Sequence, residues 1–149
     1  MKHFKMKEFR CRCGCSTPAA VMESIMALVA IVLDPLRDAY GKPVYVTSGH
    51  RCESHNRRVG GVTNSQHIQG EAADITTGSP AENLKLACLI AQHGNYDQII
   101  VYVNPGSSEP QFIHVSYKRP STGSGTDPNR HRILKKVLGR DGYQVVPGL

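Results

Sequence analysis

The N-terminal part of the chain carries a long helical pattern of apolar positions. Thr17-Pro18 is typical of a helix start, with Thr as the N-cap and Pro at the first helical position. Gly41 supplies a stop. Between them, apolar residues recur at helical spacing at Val21, Ile25, Leu28, Val29, Val32, Leu33 and Leu36. The pattern predicts one amphipathic helix over residues 17–40, interrupted or kinked near Pro35.

Short β-type runs and polar loops follow this helix. β-branched and aromatic content predicts strands over residues 42–47 and 72–76. Because residues 53–69 have little apolar content, we expect them to form a short helix followed by a wide irregular loop. A second helix is predicted from Ser79-Pro80 to about His93. Further strands are predicted near residues 98–103, 112–117, 132–138 and 143–146, with a flexible connection over residues 120–128.

The length of the chain indicates a single domain. With 149 residues and 40% hydrophobic content it can bury one sizeable core, so one α/β or α+β domain over residues 1–149 is the economical arrangement. No apolar run approaches the ~18 residues of a membrane span. The opening residues are charged at nearly every second position and lack the apolar stretch of a secretory signal, so we expect synthesis in the cytoplasm without a signal peptide.

Positive charge is concentrated in the C-terminal quarter. Between Lys118 and Arg140, seven basic residues accompany a single acid, Asp127, while the rest of the chain is neutral overall. Such a region can attract nucleic acid, an anionic membrane surface or the phosphate-bearing polymers of a bacterial wall, or can be a solvated surface without a partner. It lacks interleaved aromatic residues, which disfavours nucleic acid.

The five cysteines are unevenly placed, and three of them crowd into the Cys-Arg-Cys-Gly-Cys motif of residues 11–15. This spacing is too tight for a standard zinc ribbon, and free thiols are the favoured interpretation. One alternative is a bridge between Cys52 and an N-terminal cysteine, which a cytoplasmic site of synthesis disfavours. The other is a second metal site with Cys52 or a histidine as fourth ligand. Cys88 lies in an apolar helical pattern, which predicts a small core residue.

The most informative chemistry is a set of metal-compatible side chains. His67 falls in the predicted loop, Asp74 on the adjoining strand and His114 on a later strand. Two imidazoles and a carboxylate form a three-ligand set that zinc accepts, with a fourth position left for water. The net charge at the metal leaves enough Lewis acidity to activate that water near neutral pH, so the set indicates hydrolysis. Taken singly, each residue also suits a hydrogen-bonded structural role.

The motifs around these residues resemble the zinc D-Ala-D-Ala carboxypeptidase family. They are Ser48-Gly49-His50-Arg51, Asn56, Val59-Gly60-Gly61, Ser65-x-His67-x-x-Gly70-x-Ala72-x-Asp74 and Phe112-Ile113-His114-Val115-Ser116. That family includes phage-type L-alanyl-D-glutamate endopeptidases and shares its fold with the Hedgehog signalling domain. The resemblance covers a core of residues 4–117, closest to the small prophage-type members, and leaves residues 118–149 as a basic extension. It implies an α+β domain: a central, mainly antiparallel sheet with one long N-terminal helix and a shorter helix packed against it.

The resemblance also implies roles for individual side chains. It makes His67, Asp74 and His114 the ligands of Zn²⁺. Arg51 would stabilise the oxyanion that forms when the peptide carbonyl is attacked, a role that suits an always-charged guanidinium. Ser65 would bind the substrate or hold the loop.

The residue for proton transfer departs from the family pattern. Several members place a glutamate three residues before the last zinc histidine, where this chain has Gln111, and an amide cannot accept that proton. Glu109, two residues earlier, is the first choice for the catalytic base. Asp97 and His50 are the alternatives.

Together these features predict a zinc peptidase that cuts a D-amino-acid-containing bond in peptidoglycan stem peptides, for lysis or remodelling of the bacterial cell wall. D,D-carboxypeptidase and endopeptidase activities both fit. The basic C-terminal region would hold the enzyme on anionic wall polymers, and phage-type release would bring it to the wall. The alternative is a non-catalytic zinc-binding module or virion component, which the absence of the glutamate allows.

Overall fold

The fold, described for residues 1–149 by a computed structural model, is built on one six-stranded sheet. Its strands are β1 (Tyr45–Ser48), β2 (Ala72–Thr76), β3 (Gln98–Val103), β4 (Pro110–Ser116), β5 (Arg132–Val137) and β6 (Gln144–Val145). They lie in the order β1-β2-β4-β3-β5-β6. Every neighbouring pair is antiparallel except β3 and β5, which are parallel. The predicted α+β fold with a mainly antiparallel sheet is confirmed.

Four α-helices accompany this sheet. They are α1 (Ala19–Leu28), α2 (Asp34–Tyr40), α3 (Glu53–Arg58) and α4 (Pro80–His93), preceded by a 3-10 turn at Met6–Phe9. A π-helical turn, Val29–Leu33, joins α1 and α2 into one long helix. The backbone N–H of Asp34 reaches back five residues to the carbonyl of Val29. This wider turn accommodates Pro35, which lacks an N–H and would crowd a regular helix, so the interruption lies where the sequence predicts it.

The two faces of the sheet have different chemistry because side chains alternate along each strand. On one face, apolar residues join the helices in the hydrophobic core: Ala73, Ile75, Ile99, Val101, Ile113, Val115 and Ile133. The intervening residues line a cleft on the other face: Asp74, Gln98, Ile100, Tyr102, Phe112, His114, Arg132, Leu134 and Lys136. The polar face therefore carries the candidate site, while the apolar face holds it rigid.

The long helix Ala19–Tyr40 is sufficiently long and apolar, by length and composition alone, to cross a membrane. In this fold its side chains Ile25, Leu28 and Leu33 are fully buried in the core. The helix packs as a core element, which is a sufficient reason for its apolar composition.

The basic C-terminal region contributes to the sheet. Its strand β5 pairs in parallel with β3, and β6 pairs with β5. Asp97 anchors the connection that leads into β5, since its buried carboxylate accepts hydrogen bonds from Nε and Nη2 of Arg130 at 3.0 and 2.6 Å. Gln66, from the loop before β2, donates to the same carboxylate at 2.8 Å. The connection and the loop of the candidate site thus share one buried acid.

We expect Asp97→Asn to lower the free energy of unfolding by about 2 kcal/mol at neutral pH, because Arg130 loses its charged partner. Burial by itself raises the pKa of Asp97, but the hydrogen bonds from Arg130 and Gln66 outweigh it and lower the pKa to about 2. The contribution is therefore complete above a pH of about 4, where the unfolded carboxyl is ionised, and is lost as the pH falls through about 2.

Urea unfolding of wild type and Asp97→Asn at several pH values measures this effect. Asp141→Asn, which removes an exposed acid from the same region, is the matched control and should leave stability unchanged. A stability difference between wild type and Asp97→Asn as large at pH 2 as at neutral pH would contradict the role of the ionised carboxylate.

Candidate metal centre

The three predicted ligands converge on the polar face of the sheet. Asp74 on β2 lies directly opposite His114 on β4, and His67 comes from the loop before β2. The Oδ1 of Asp74, the Nε2 of His67 and the Nδ1 of His114 form a triangle with three sides of 3.2 Å. All three residues are buried. The sequence motif and the register of β2 with β4 therefore place three donor atoms at one point.

The spacing of these atoms fits a single tetrahedral metal ion. Ligand atoms about 2.0–2.1 Å from zinc lie about 3.3 Å apart in a regular tetrahedron, close to the triangle found here. Two imidazole nitrogens and a carboxylate oxygen are also donor types that zinc accepts. In such a site the triangle would form one face of the tetrahedron, so three protein side chains would hold the ion and the fourth position would be left to a small molecule.

A backbone carbonyl fixes the orientation of His67. The Nδ1 of His67 lies 2.7 Å from the carbonyl oxygen of Gly49 and must donate, because a carbonyl only accepts. This tautomer leaves the lone pair of Nε2 facing Asp74 and His114. A Cβ at residue 49 would lie 2.5 Å from the Cα of Phe9, so only glycine fits at this position. The turn before Arg51 is thus part of the metal site.

The electrostatics of the site favour the protonation states that bind a metal. Burial by itself raises the pKa of Asp74, but the charge and hydrogen bonds of His67 and His114 outweigh it, and the pKa lies well below its ordinary value. Burial lowers the pKa of His114, against the opposing effect of Asp74. Asp74 is therefore an anion and His114 a neutral imidazole near neutral pH, as metal binding requires.

Arg51 lies beside the ligands and is held by three hydrogen bonds. Its Nε donates to the Oγ of Ser48 at 3.1 Å, its Nη1 to the Oδ1 of Asn56 at 3.2 Å, and its Nη2 to the Oδ2 of Asp74 at 3.3 Å. The contact with Oδ2 leaves Oδ1 of Asp74 for the metal. The guanidinium thus orients the carboxylate of Asp74 and presents a fixed positive charge to the cleft that it lines.

An open cleft of about 500 Å³ lies over the metal ligands. Alternate residues of β3, β4 and β5 line it together with the loop that contains residues 59–67. The basic C-terminal region contributes Arg130, Arg132 and Lys136 to the lining. Arg130 is paired with Asp97, whereas Arg132 donates to the neutral side chain of Gln98. The cleft therefore carries positive charge that attracts anionic molecules.

Ser65 lies in the loop that carries His67 and also lines the cleft. It is buried, and its Oγ accepts the backbone N–H of His67 at 3.3 Å. This contact matches the loop-holding role, while its contact with a substrate stays a prediction.

The predicted catalytic base, Glu109, is not brought to the metal ligands. It is exposed in the loop before β4 and does not line the cleft. His114 follows five residues later along an extended strand, which corresponds to roughly 16 Å. Of the alternatives, Asp97 is engaged by Arg130 and Gln66, and His50 is buried outside the cleft lining. Asp74 is the one carboxylate that lines the cleft.

The cleft is also lined by two tyrosines that the sequence motifs do not indicate, Tyr102 on β3 and Tyr143 before β6. The ring of Tyr102 stacks on Phe112 at 4.4 Å between centroids. Burial raises the pKa of Tyr102, and the nearby Tyr143 and Asp74 raise it further, so its hydroxyl stays protonated and able to donate. Alternation along β3 places Tyr102 on the face of His114, but this follows only from the register between β3 and β4.

The fold and the site define an α+β protein in which two histidines and an aspartate converge at the spacing expected of three ligands to one metal ion. The family model described as peptidase M15 matches residues 2–116. The chain therefore belongs to the peptidase M15 family, and the resemblance seen in the sequence motifs is confirmed.

One curated relative is the zinc D-Ala-D-Ala carboxypeptidase of Streptomyces albus G. It is 36% identical over 75 residues, which cover 50% of this chain and 28% of that protein. The match thus spans under a third of the relative's own length.

Proposed function

We propose that this protein is a zinc-dependent peptidase that hydrolyses a D-amino-acid-containing bond in peptidoglycan stem peptides. The observation that carries the proposal is the triangle of His67, Asp74 and His114, with Arg51 beside it in an open cleft. Membership of the peptidase M15 family and the similarity to a zinc D-Ala-D-Ala carboxypeptidase support this class of substrate. When bound, zinc supplies a Lewis acid that polarises a peptide carbonyl and activates water.

The side chains of the cleft stabilise negative charge that develops on the carbonyl oxygen. Arg51 is held in place by its own hydrogen bonds, so its guanidinium needs no reorganisation as the charge forms. Tyr102 stays a neutral phenol and donates a hydrogen bond to the same region. The positive charge of Arg132 suits a stem peptide, which carries carboxylates, in either a carboxypeptidase or an endopeptidase reaction.

Cleavage of a synthetic stem pentapeptide tests the proposal and identifies the bond. Protein loaded with zinc is incubated with N-acetyl-L-Ala-γ-D-Glu-L-Lys-D-Ala-D-Ala, and the products are identified by mass spectrometry. Loss of a single D-alanine shows a carboxypeptidase, whereas release of N-acetyl-L-alanine shows an endopeptidase. If neither this peptide nor its diaminopimelate counterpart is cut, the peptidase proposal fails.

We expect Glu109→Gln to leave kcat/KM within about threefold of wild type, because this side chain is exposed and outside the cleft. A general base contributes about 10²- to 10⁴-fold to the rate, so a loss of that size would show that Glu109 does reach the substrate. Gln111 is also exposed and outside the cleft, so the companion variant Gln111→Glu, which restores the carboxylate of the family pattern, should preserve activity. Both are measured with the stem peptide that wild type cuts.

A non-catalytic zinc-binding module or virion component is the second candidate. It is favoured by the lining of the cleft, in which Asp74 is the one carboxylate and already belongs to the ligand set. This candidate predicts zinc binding and binding of stem peptides without turnover.

The bacterial cell wall is the proposed place of action. The basic C-terminal region, residues 118–149, would bind anionic wall polymers through the cationic side chains that do not line the cleft, such as Lys135 and Arg140. Phage-type release is the proposed route to the wall.

A further inference from the structure

Four of the five cysteines converge at a second point. The Sγ atoms of Cys11, Cys13, Cys15 and Cys52 all lie within 4.8 Å of one another, and none is in a disulfide. The Sγ of Cys11 lies 3.2 Å from that of Cys13 and 3.8 Å from that of Cys52. The separation between Cys13 and Cys52 is 3.6 Å. Cys88 lies outside this four-cysteine cluster.

Local and long-range contacts both build the cluster. The backbone N–H of Gly14 donates to the carbonyl of Cys11 at 3.0 Å, and Gly14 has a φ of +84°, which a residue with a Cβ rarely adopts. This tight turn folds the Cys-Arg-Cys-Gly-Cys motif back on itself. The N–H of His50 donates to the carbonyl of Phe9 at 2.7 Å and brings Cys52 to the turn.

The distances suit a four-sulfur metal site better than two disulfides. Sulfur atoms about 2.3 Å from zinc in a tetrahedron lie about 3.8 Å apart, close to the 3.2 to 3.8 Å that separate the sulfur atoms of Cys11, Cys13 and Cys52, and the sulfur of Cys15 lies within 4.8 Å of each of them. Each of two disulfides would hold its own two sulfur atoms about 2.05 Å apart, which is much closer than any separation found here. Four cysteine ligands in a tetrahedron select zinc among the common divalent ions.

Backbone hydrogen-bond donors contact two of the four sulfur atoms. The backbone N–H of Cys52 donates to the Sγ of Cys11, and that of His55 donates to the Sγ of Cys52, both at 3.4 Å. Metal ligands are commonly held by such secondary contacts. Arg10 and Arg12 flank Cys11 in the sequence and bring two positive charges to this segment.

We propose that Cys11, Cys13, Cys15 and Cys52 bind a second zinc ion, with a structural role. Four protein ligands close the coordination sphere, so the ion has no position for substrate. It connects the N-terminal segment to the turn that ends at Cys52. This turn also contains Gly49, whose carbonyl orients His67, and Arg51, which contacts Asp74. The second ion would therefore hold the first metal centre in place, whichever function that centre has.

Metal content measured by plasma mass spectrometry on the purified full chain tests this proposal. We expect two zinc ions per chain in wild type, one in the double variant Cys13→Ser/Cys15→Ser, and one in His67→Ala. Cys88→Ser is the matched control and should keep two. In cobalt-substituted protein, wild type and His67→Ala should show intense sulfur-to-cobalt charge-transfer absorption, which the Cys13→Ser/Cys15→Ser variant should lack.

The cobalt spectrum of wild type decides the matter even where the cysteine variants do not fold. Wild type that binds a single ion and shows no sulfur-to-cobalt absorption would overturn the proposal. Thiol titration in denaturant that finds two disulfides among these cysteines would also overturn the proposal. Purified protein in which iron rather than zinc accompanies the cluster would overturn it as well. The failure of the peptidase proposal would leave these metal counts unchanged, so the two proposals fail separately.

Discussion

Replacing His67 with alanine is expected to lower kcat/KM by at least about a thousandfold and to remove one metal ion per chain. His67 supplies one corner of the ligand triangle, and its Nε2 lies 3.2 Å from both other donor atoms. Two remaining ligands leave the ion weakly held, and the Lewis acid is lost with it. Stem-peptide cleavage and metal analysis on the same preparation measure both effects.

His93→Ala is the matched control for this substitution. His93 is exposed near the end of α4, far along the chain from the ligand set, and its removal should change neither activity nor metal content. Full activity or undiminished zinc in His67→Ala would show that the metal is held elsewhere. A variant that loses activity but keeps its metal would assign His67 a role other than ligand.

Replacing Arg51 is expected to lower kcat by about 10²- to 10³-fold. The zinc content per chain and the value of KM should change little. The guanidinium makes three directed hydrogen bonds, to Ser48, Asn56 and Asp74. Lysine keeps the charge but not this planar geometry, so Arg51→Lys should recover little of the activity that Arg51→Met loses. Steady-state kinetics with the stem peptide, together with zinc analysis, separate the two variants.

Arg57→Lys, an exposed position on α3, is the control for this series and should behave as wild type. If Arg51→Met loses its zinc together with its activity, the arginine acts by orienting Asp74 and has no direct part in charge stabilisation. A raised KM with unchanged kcat would assign it to substrate binding instead.

Part of the candidate metal site is predictable from the sequence, because two of its three residues lie close together in the chain. His67 and Asp74 lie within one loop-strand motif, and strand β2 follows the predicted bounds of residues 72–76. Pairing of Asp74 with His114 is long-range, but it follows from two adjacent antiparallel strands that each carry a ligand on the same face. No local sequence pattern connects these two strands. The prediction that they bring Asp74 and His114 together therefore depends on the resemblance of their motifs to the family.

The features that sequence does not reveal depend on long-range register. Glu109 is near His114 in the sequence. Each residue of an extended strand adds about 3.3 Å, however, so Glu109 lies away from His114, and its side chain is exposed. Tyr102 enters the cleft only through the register of β3 with β4. The charge of the C-terminal region predicts an anionic partner. It does not predict that β5 of this region pairs in parallel with β3. The cysteine cluster needs the contact between Phe9 and His50, which no local pattern shows.

Digestion of purified peptidoglycan tests the central claim most directly. Wild type with zinc, wild type with a chelator and His67→Ala are incubated with walls of several stem-peptide types, and the released muropeptides and amino acids are identified by mass spectrometry. We predict new products that carry a D-amino acid at the cut bond from zinc-loaded wild type alone. Zinc-loaded wild type that releases nothing from any wall, or the same products from His67→Ala, would contradict a zinc peptidase at His67, Asp74 and His114.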